Sequence, residues 1–534
     1  MSSAKTYLLL EPLCIVLLCL PALQLWSGLE DDAKRTQLAH SALFALAALA
    51  SAYYLVSALG PRFIARNLKG KDMGRRGTKD ENAEMCVALQ PFSHFIWSNA
   101  PNSFLSPPLP PPCPPSPSGV GLVCAVVFLI CVIMAQLWHG WRGGEAPMEP
   151  FYHSALLSIC FMTLLGFADD VLDLPWRYKF ILPVFASLPL LATYNGKTDI
   201  VLPSLLGQWL LQPGTATPTP LGRLLELASL SLQPLQPSGA VLMQMGQWYF
   251  VYMGCLGVFA TNAINIYAGI NGLEAGQAVV ITIAVLTTNL LEIATSPKEP
   301  HMTAHLFSAL LGLPFLAVTL AALAHNLYPA RVFVGDTFCY FAGMTLAVQG
   351  IHGHFAKTLL IFFAPQVFNF FYSVPQLAKV YPCPRHRLPH FNAATGLMEP
   401  SQFEVPAGRS SLCGSGSSGG SGAAAAAAAA VAAAEAVAPP ASLKARRGSL
   451  SAAPRPAAGA GAGSAAPRRM MDNWTLINLV LRLTGPLHER TLTNVLLLLQ
   501  VASCLTGLAL RTWHSSSVCS GATPWRGAYG SCGE

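Results

Sequence analysis

Charge is scarce in this chain of 534 residues. Asp, Glu, Lys and Arg together make up 11% of the sequence, whereas 53% of its residues are hydrophobic. Soluble globular domains carry about 25% charged residues. The shortage of charge therefore excludes an ordinary soluble domain and predicts a multispanning membrane protein in a lipid bilayer.

Two kinds of motif are also missing. None of the 14 cysteines stands in a Cys-x-x-Cys spacing, and many lie inside apolar runs. This pattern predicts small apolar core residues and argues against a zinc site or a disulfide framework. The chain also lacks a Walker loop or kinase motif, so nucleoside triphosphate hydrolysis has no support. Nucleic acid is not an expected partner.

Apolar runs long enough to cross a bilayer recur along the chain, and they predict an all-α, polytopic membrane protein with about ten transmembrane helices. The predicted spans are 38–59, 119–140, 153–168, 177–194, 245–264, 274–294, 304–324, 336–353, 355–377 and 492–511. Residues 1–36 hold a shorter run with the character of a signal sequence or weak anchor.

The remaining segments differ in composition and predict the domain organisation. Residues 38–86 comprise the first span and a basic loop, and 119–390 the membrane core. A Pro-rich insertion at 87–118 cannot hold regular structure. Residues 391–470 form an Ala-, Gly- and Ser-rich linker. Residues 472–511 contain the last span, followed by an atypical tail at 512–534.

Basic residues are concentrated on one side of the predicted bundle. Loop 60–86 and the alternate loops that share its side carry 22 of the 32 Lys and Arg residues. Cytoplasmic loops of membrane proteins are enriched in these residues, so this side is predicted to face the cytosol. Four polar clusters fall there: ADDVLDLPWRYK at 168–179, TNAINIYAGINGLEAGQ at 261–277, RVFVGDTFCYFAGM at 331–344 and PCPRHR at 382–387.

The first cluster brings acids and bases together at a helix break. Asp169 and Asp173 are four residues apart and share a helical face, while Asp170 lies about 100° round. A new helix beginning near the following proline would carry Arg177 and Lys179 inward from the same interface. The alternative is a solvated helix end with surface ion pairs.

Each of the other clusters also has two interpretations. Asn265 and two nearby glycines could approach a ligand, but Asn and Gly are common at helix ends. Asp336 begins an apolar helix, where it could be an N-cap. Arg385 and Arg387 could bind phosphate or sugar oxygens, or could anchor the chain at the membrane. Taken together, carboxylates, amides and bases at one membrane face suit phosphoryl transfer to a lipid, with Mg held by Asp and Asn oxygens.

These motifs resemble those of the polyprenyl-phosphate N-acetylhexosamine-1-phosphate transferases, in particular the eukaryotic branch that uses dolichyl phosphate. The similarity runs through 38–86, 119–390 and 472–511. It implies a helix bundle in the endoplasmic reticulum membrane whose active site faces the cytosol. Dolichyl phosphate would attack the β-phosphorus of UDP-N-acetylglucosamine and release UMP, the first step of lipid-linked oligosaccharide assembly. The resemblance also implies Mg as cofactor and allows a homodimer.

The resemblance assigns roles to individual residues. Asn265 and Asp336 would bind Mg, Lys179 would contact the diphosphate, and Asp169 and Asp170 would shape the acceptor side. The catalytic set is therefore Asp169, Asp170, Lys179 and Asp336. The implied substrate-binding residues are Met73, Asp173, Gly269, Asn271, Phe333, Arg385, His386 and Arg387. Among these, Phe333 would stack on uracil, Gly269 and Asn271 would contact the nucleoside, and the last three would hold the N-acetylated sugar.

The chain departs from the family pattern at two points that bear on function. Asp173 stands where the family has Asn, which adds a charge near the diphosphate. A Pro-Glu-Ser-x-Gly turn is replaced by the Pro-rich insertion, and Ser118 falls where its Glu should be. Two alternatives to an active enzyme therefore stay open: an inactive relative with a binding role, and a transporter, since intramembrane acids also line ion pathways.

Overall fold

The computed structural model describes residues 32–66, 69–70, 116–117, 119–141, 149–172, 174–202, 207–212, 217–235, 240–295, 301–384, 387–406 and 468–519. The signal-like run, most of the Pro-rich insertion and most of the predicted linker lie outside these residues. The described chain divides into two compact units. One contains the residues up to Gln366 and from His488 onward, and the other contains Val367–Leu487.

The first unit is built of helices. They are α1 (Asp32–Ala65), α2 (Val120–Trp141), α3 (Glu149–Leu172), α4 (Trp176–Ala192), α5 (Pro220–Leu227), α6 (Gln247–Ile266), α7 (Leu273–Thr295), α8 (His301–Asn326), α9 (Gly335–His352), α10 (Ala356–Phe362), the start of α11 (Ala364–Leu377) and α13 (Glu489–Cys519). The second unit holds the rest of α11, together with α12 (Leu476–Thr484).

The prediction of an all-α polytopic membrane protein is confirmed. Seven described helices are long and apolar enough to cross a membrane: α1, α2, α3, α6, α7, α8 and α13. The bent pair α10 and α11 adds an eighth candidate. Two further predicted spans, 177–194 and 336–353, correspond to α4 and α9, whose 17 and 18 residues are not among these candidates.

Helix α9 packs against α2, α3, α6 and α8. Three glycines lie where α9 closely approaches neighbouring helices. A methyl group at Gly121 of α2 would overlap the backbone nitrogen of Phe338, and one at Gly166 of α3 would lie 2.6 Å from the Cα atom of Thr337. A methyl group at Gly343 of α9 itself would overlap the backbone of Ala260 in α6. Small residues let helix backbones approach closely in membranes, so these glycines fix the position of α9.

The predicted site residues lie at one end of the helices of the first unit, which we call the Asp336 end. They are Asp169 at the end of α3, Lys179 at the start of α4, Asn265 at the end of α6 and Asp336 at the start of α9. The other ends of the helices, with the segment that joins α4 to α6, form the opposite end.

Short strands accompany the helices. At the opposite end, β3 (Asp199–Leu202), β4 (Ser231–Leu235) and β5 (Ala240–Gln244) form an antiparallel sheet in the order β3-β5-β4. Its core is Leu210, Leu211, Leu232 and Val241. Residues of β1 (Lys69–Gly70) pair with β2 (Ser116–Pro117).

The second unit contains two small antiparallel pairs. Strand β6 (His390–Asn392) pairs with β7 (Leu397–Glu399), and β8 (Gln402–Pro406) pairs with β9 (Arg468–Asp472). Asn478 of α12 ties the unit together, because its side chain accepts a hydrogen bond from the Ser401 amide and donates one to the Arg387 carbonyl. The first residues of the segment predicted as a linker are therefore paired strands.

Candidate active site

Asp170 holds the first turn of α9 from a neighbouring helix. Its carboxylate accepts the amide N–H groups of Asp336 at 2.8 Å and Thr337 at 3.0 Å, and also the Thr337 hydroxyl. The first N–H groups of a helix have no partner within it and carry a partial positive charge, so a buried carboxylate is a favourable partner. Asp170 thus caps α9 from α3.

This arrangement overturns the N-cap interpretation of Asp336. The cap position of α9 is Val334, which makes no side-chain capping bond. The Asp336 side chain instead accepts a hydrogen bond from the Asn265 amide at 2.9 Å, and its other oxygen lies 3.7 Å from the ammonium group of Lys179. With 31% of its side chain exposed, Asp336 presents its carboxylate to the surroundings at this end of the bundle.

Asp169 is the buried partner of Lys179. Its side chain is 1% exposed, and one oxygen lies 2.8 Å from the Lys179 ammonium group. The same oxygen accepts the Tyr340 hydroxyl at 3.1 Å, and the other accepts the Leu174 amide at 3.0 Å. The predicted meeting of acid and base across the helix break is confirmed for this pair. Lys179 is therefore held between two carboxylates that differ in exposure.

Arg177 does not join this cluster. It is exposed, and its guanidinium lies over the ring of Tyr178 at 5.0 Å. The expectation that it points inward beside Lys179 is wrong, because two residues of helix rotate it about 200° from Lys179. Of the two bases, only Lys179 reaches an acid of the motif among the residues that the structure describes.

The loop between α6 and α7 is held by carboxylates from inside the bundle. The amide of Gly269 donates to Glu274 at 2.8 Å, and that of Asn271 donates to Glu489 at 2.9 Å. Thr493 donates to the Asn271 carbonyl at 2.9 Å. Gly269 has a φ of 106°, a conformation that L side chains rarely adopt. The loop is thus preformed by its own protein contacts.

Of the other predicted substrate-binding residues, the structure describes Phe333 and Arg387. Phe333 lies three residues before Asp336 and is 39% exposed, so its ring is accessible for stacking. Arg387 belongs to the second unit, and burial lowers the pKa of its guanidinium. One of its terminal nitrogens, Nη1, is buried with no hydrogen-bond partner among the described residues. Met73, Ser118, Asp173, Arg385 and His386 lie outside the residues that the structure describes.

Three residues at this end were missed by sequence reasoning. Tyr340 follows Asp336 by one helical turn, and that spacing could have indicated it. The Thr337 hydroxyl donates a hydrogen bond to Asp170, and no sequence pattern indicates this contact. Glu489 holds Asn271 across 218 residues of sequence, and no local pattern indicates such a contact.

The donor set around Asp336 suits a hard cation. Asn265 turns its amide nitrogen toward Asp336, so its amide oxygen is the atom that can act as a ligand. Carboxylate and amide oxygens are the ligands that Mg prefers, and Mg commonly takes only one or two of them from protein. The residues present therefore fit the predicted metal.

A second group with metal-ligand spacing lies at the opposite end. Glu292, His301 and His305 place ligand atoms within 4.8 Å of one another. Arg511 also enters this group: its Nε atom lies 2.7 Å from Glu292, and another of its nitrogens lies 3.4 Å from His305 Nε2. A guanidinium thus supplies positive charge where a metal would, and we name these four residues the Arg511 clamp.

Comparisons with known proteins identify the family of this chain. The model of the family described as glycosyl transferase family 4 matches residues 152–354. A Dictyostelium discoideum protein is 38% identical over 392 residues, covering 71% of this chain and 83% of that protein. A Schizosaccharomyces pombe protein is 34% identical over 508 residues, covering 90% and 93%. A Saccharomyces cerevisiae protein is 45% identical over 254 residues, covering 47% and 50%.

All three relatives carry one name, UDP-N-acetylglucosamine–dolichyl-phosphate N-acetylglucosaminephosphotransferase. The family match covers α4, α6, α9 and all but the first three residues of α3, the four helices that supply Asp169, Asp170, Lys179, Asn265 and Asp336. The chain belongs to glycosyl transferase family 4, in the group of UDP-N-acetylglucosamine–dolichyl-phosphate N-acetylglucosaminephosphotransferases.

Proposed function

We propose that this protein transfers N-acetylglucosamine 1-phosphate from UDP-N-acetylglucosamine to dolichyl phosphate, giving N-acetylglucosaminyl-diphosphodolichol and UMP. The shared name of the relatives supports the substrates and the reaction. We also propose the endoplasmic reticulum membrane as its location, with the Asp336 end toward the cytosol. The concentration of Lys and Arg in the loops of that side supports this orientation.

One observation carries the proposal: Asp336 is held from three other helices. Asp170 of α3 binds its backbone, Asn265 of α6 donates to its carboxylate, and Lys179 of α4 lies beside it. A carboxylate fixed in this way can keep a constant geometry toward a substrate while remaining partly exposed. Such preorganisation is what electrostatic catalysis of phosphoryl transfer requires.

Asp336 and Asn265 would hold Mg, and the cation when bound would neutralise the diphosphate of the nucleotide sugar and the charge that develops on it. Lys179 supplies positive charge beside the same carboxylate and is proposed to contact the diphosphate. Asp169 orients Lys179, because its side chain is nearly fully buried and lies at hydrogen-bonding distance. Asp170 is a positioning residue for α9.

The reaction needs no base to activate the acceptor. A phosphate monoester has a second pKa of about 6, so dolichyl phosphate is largely ionised at neutral pH. Its oxygen attacks the β-phosphorus directly, a new P–O bond forms, and the bond from that phosphorus to the bridging oxygen breaks. The bridging oxygen and its electron pair leave with UMP. No covalent enzyme intermediate is required.

The remaining assignments concern recognition of the nucleotide sugar. Phe333 is proposed to stack on uracil, with Gly269 and Asn271 beside the nucleoside. Arg385, His386 and Arg387 are proposed to read the N-acetyl group. The Nη1 atom of Arg387 supports this role: it is buried with no hydrogen-bond partner among the described residues, and such a donor is costly unless a ligand satisfies it. Met73 and Asp173 stay predictions from the resemblance alone.

The test is UMP release by the purified full chain with Mg, dolichyl phosphate and either UDP-N-acetylglucosamine or UDP-glucose. We expect release with the first donor and little with the second, and a loss of about 10² in turnover for Arg387→Ala. Folded protein that binds the nucleotide sugar without releasing UMP would favour the inactive relative. Movement of UDP-N-acetylglucosamine across vesicles without UMP release would favour a transporter. Equal use of both donors would contradict the sugar assignment.

A further inference from the structure

Helix α5 lies in the segment that joins α4 to α6, and its end is tied to the start of a span. Trp248 stands in the first turn of α6, and its indole N–H donates to the carbonyl of Ala228 at 2.8 Å. Ala228 is the C-cap of α5. Because α6 is a candidate membrane span, this bond holds the end of α5 at the depth where the span leaves the bilayer.

One side of α5 packs on the small sheet. A methyl group at Gly222 would overlap the carbonyl of Leu210, and Leu225 packs against the core of that sheet. The opposite side is apolar and uncovered within the described residues. Leu221, Leu224 and Leu227 are 48%, 60% and 84% exposed.

The charged residues of α5 lie on the remaining arc. At 100° per residue, Arg223 and Glu226 fall together on the flank away from Leu221, and Leu224 and Leu227 lie between that flank and Leu221. The short helix therefore has a packed side, an apolar side and a charged flank. This division is typical of a helix that lies in a membrane interface.

A tryptophan accompanies the other end of α5. The hydroxyl of Thr219, the N-cap of the helix, donates to the carbonyl of Trp209 at 2.6 Å. The Trp209 side chain is 66% exposed. Trp248 is 49% exposed at the far end of α5, so an exposed indole is attached at each end of the apolar side. Tryptophan is enriched where protein meets the interfacial layer of the bilayer.

We propose that Trp209 and the leucines Leu221, Leu224 and Leu227 insert into the interfacial layer of the membrane leaflet at the opposite end, so that lipid acyl chains cover this face. The occupant is lipid because the exposed surface continues directly into the span: Trp248 and Val251 of α6 are 49% and 53% exposed. An interfacial helix buries its apolar face only about 5–10 Å deep, which leaves the Arg223 and Glu226 flank at the headgroups.

The experiment uses the full chain in phosphatidylcholine nanodiscs, with and without bromine on the acyl chains near the glycerol backbone. Bromine quenches tryptophan fluorescence over short distances. Subtracting the emission of Trp209→Phe from that of the wild type isolates Trp209. We expect this difference emission to lose most of its intensity in the brominated nanodiscs. Emission that is unchanged by bromine would overturn the proposal.

Two charge-matched variants separate insertion from general disturbance. Leu224→Lys places a cation on the apolar side, whereas Glu226→Lys places the same cation on the charged flank. The emission of each variant is compared with that of the same variant carrying Trp209→Phe in addition. We expect quenching of Trp209 to fall in the first and persist in the second, with UMP release retained in both.

The outcome also distinguishes lipid from protein. If a second copy covered this face, Trp209 would escape quenching, and the wild-type particle would be a dimer that Leu224→Lys dissociates. Equal quenching in Leu224→Lys and the wild type would contradict insertion. Unchanged UMP release in Leu224→Lys shows that this variant is folded, so a loss of quenching cannot be ascribed to unfolding.

Discussion

Asp169 and Asp170 are adjacent in sequence and perform different tasks. Their side chains leave α3 about 100° apart. Asp169 points to Lys179 and Tyr340, so its negative charge fixes a base. Asp170 points to the start of α9, where it fixes a backbone. The second arrangement fixes the backbone of Asp336, whereas the first fixes Lys179, which lies beside the Asp336 carboxylate.

Replacing Asp170 by Asn should therefore act on position more than on binding chemistry. Asn can accept one of the two N–H bonds but lacks the charge that favours a helix N-terminus. We expect a loss of stability of about 1–2 kcal/mol and a fall in UMP turnover of about tenfold to a hundredfold, since small misplacement of a catalytic group is costly. Thermal unfolding and kcat, with KM for UDP-N-acetylglucosamine nearly unchanged, check this.

A matched Asp170→Glu variant is the control. It restores the charge but displaces the carboxylate by a methylene group, so partial recovery of stability without recovery of turnover is expected. A large increase in KM for UDP-N-acetylglucosamine in Asp170→Asn would contradict the positioning role, because it would show that Asp170 binds the donor.

Contacts between residues close in sequence could be predicted, whereas contacts between residues distant in sequence could not. The pairing of Asp169 with Lys179 follows from helical geometry and a proline break within eleven residues. The bond from Asp170 to α9 spans 166 residues. No local sequence pattern indicates this bond, so the sequence leaves Asp336 open to interpretation as an N-cap. That interpretation fails because the carboxylate of Asp170, from another helix, already accepts the N–H groups at the start of α9.

At the scale of elements, α9 depends on backbone contacts that only glycine permits. Gly121 of α2 faces the nitrogen of Phe338, in the turn that contains Asp336. Gly140, in the last turn of the same helix, has open space around it. The same glycine-to-alanine substitution can therefore be compared at a crowded position and at an open position of one helix.

Gly121→Ala should push α9 away from α2. Overpacking typically costs about 1–3 kcal/mol, and here it would also move the turn that holds Asp336. We expect a lower unfolding temperature and reduced UMP release. Gly140→Ala should be neutral or stabilise by up to about 1 kcal/mol, since alanine is the better helix former. Equal effects of the two variants would contradict the close contact.

The Arg511 clamp joins α13 to α7 and α8 at the opposite end. The side chains of Glu292 and Arg511 are only 14% and 20% exposed. Removing one partner of a mostly buried ion pair leaves a charge without compensation, which costs about 3–5 kcal/mol. Arg511→Ala should therefore lower the unfolding temperature clearly, and Arg511→Lys should lower it less.

A chelator distinguishes this clamp from a metal site. Because a guanidinium supplies the positive charge, we expect a strong zinc chelator to leave the unfolding temperature of the wild type unchanged. If the chelator lowers that temperature as much as Arg511→Ala does, a metal shares Glu292, His301 and His305 and the clamp interpretation is wrong.

At the scale of the whole molecule, composition and hydropathy were enough to predict the fold class. They could not identify the small sheet and α5, because these elements depend on contacts between residues distant in sequence, such as the pairing of β3 with β5. They also treated 391–470 as one linker, although β6, β7 and β8 (Gln402–Pro406) lie at its beginning. The hydrogen bonds of β8 to the distant strand β9, and those between β6 and β7, are not visible in local composition.

Glycosylation offers a test of the predicted orientation. Pro213→Asn would create an Asn-Gly-Thr acceptor in the segment that joins α4 to α6, which should face the lumen. The natural sequence already contains Asn473-Trp-Thr475, in a loop predicted to face the cytosol. We expect one endoglycosidase-sensitive glycan on Pro213→Asn expressed in microsomes and none on the wild type. A glycan on Asn473, with Pro213→Asn unmodified at its new acceptor, would reverse the orientation.

In the proposed mechanism the reaction depends on the charge of Asp336, which Asp170, Asn265 and Lys179 hold in place. Asp336→Asn keeps the shape of the side chain and removes that charge, and the direct measurement is its rate of UMP release under saturating Mg, dolichyl phosphate and UDP-N-acetylglucosamine. We predict a loss of at least about 10²–10³ in turnover, with an unfolding temperature close to that of the wild type. Chelation of Mg should abolish release by the wild type. Near-normal release by Asp336→Asn would contradict this role of Asp336.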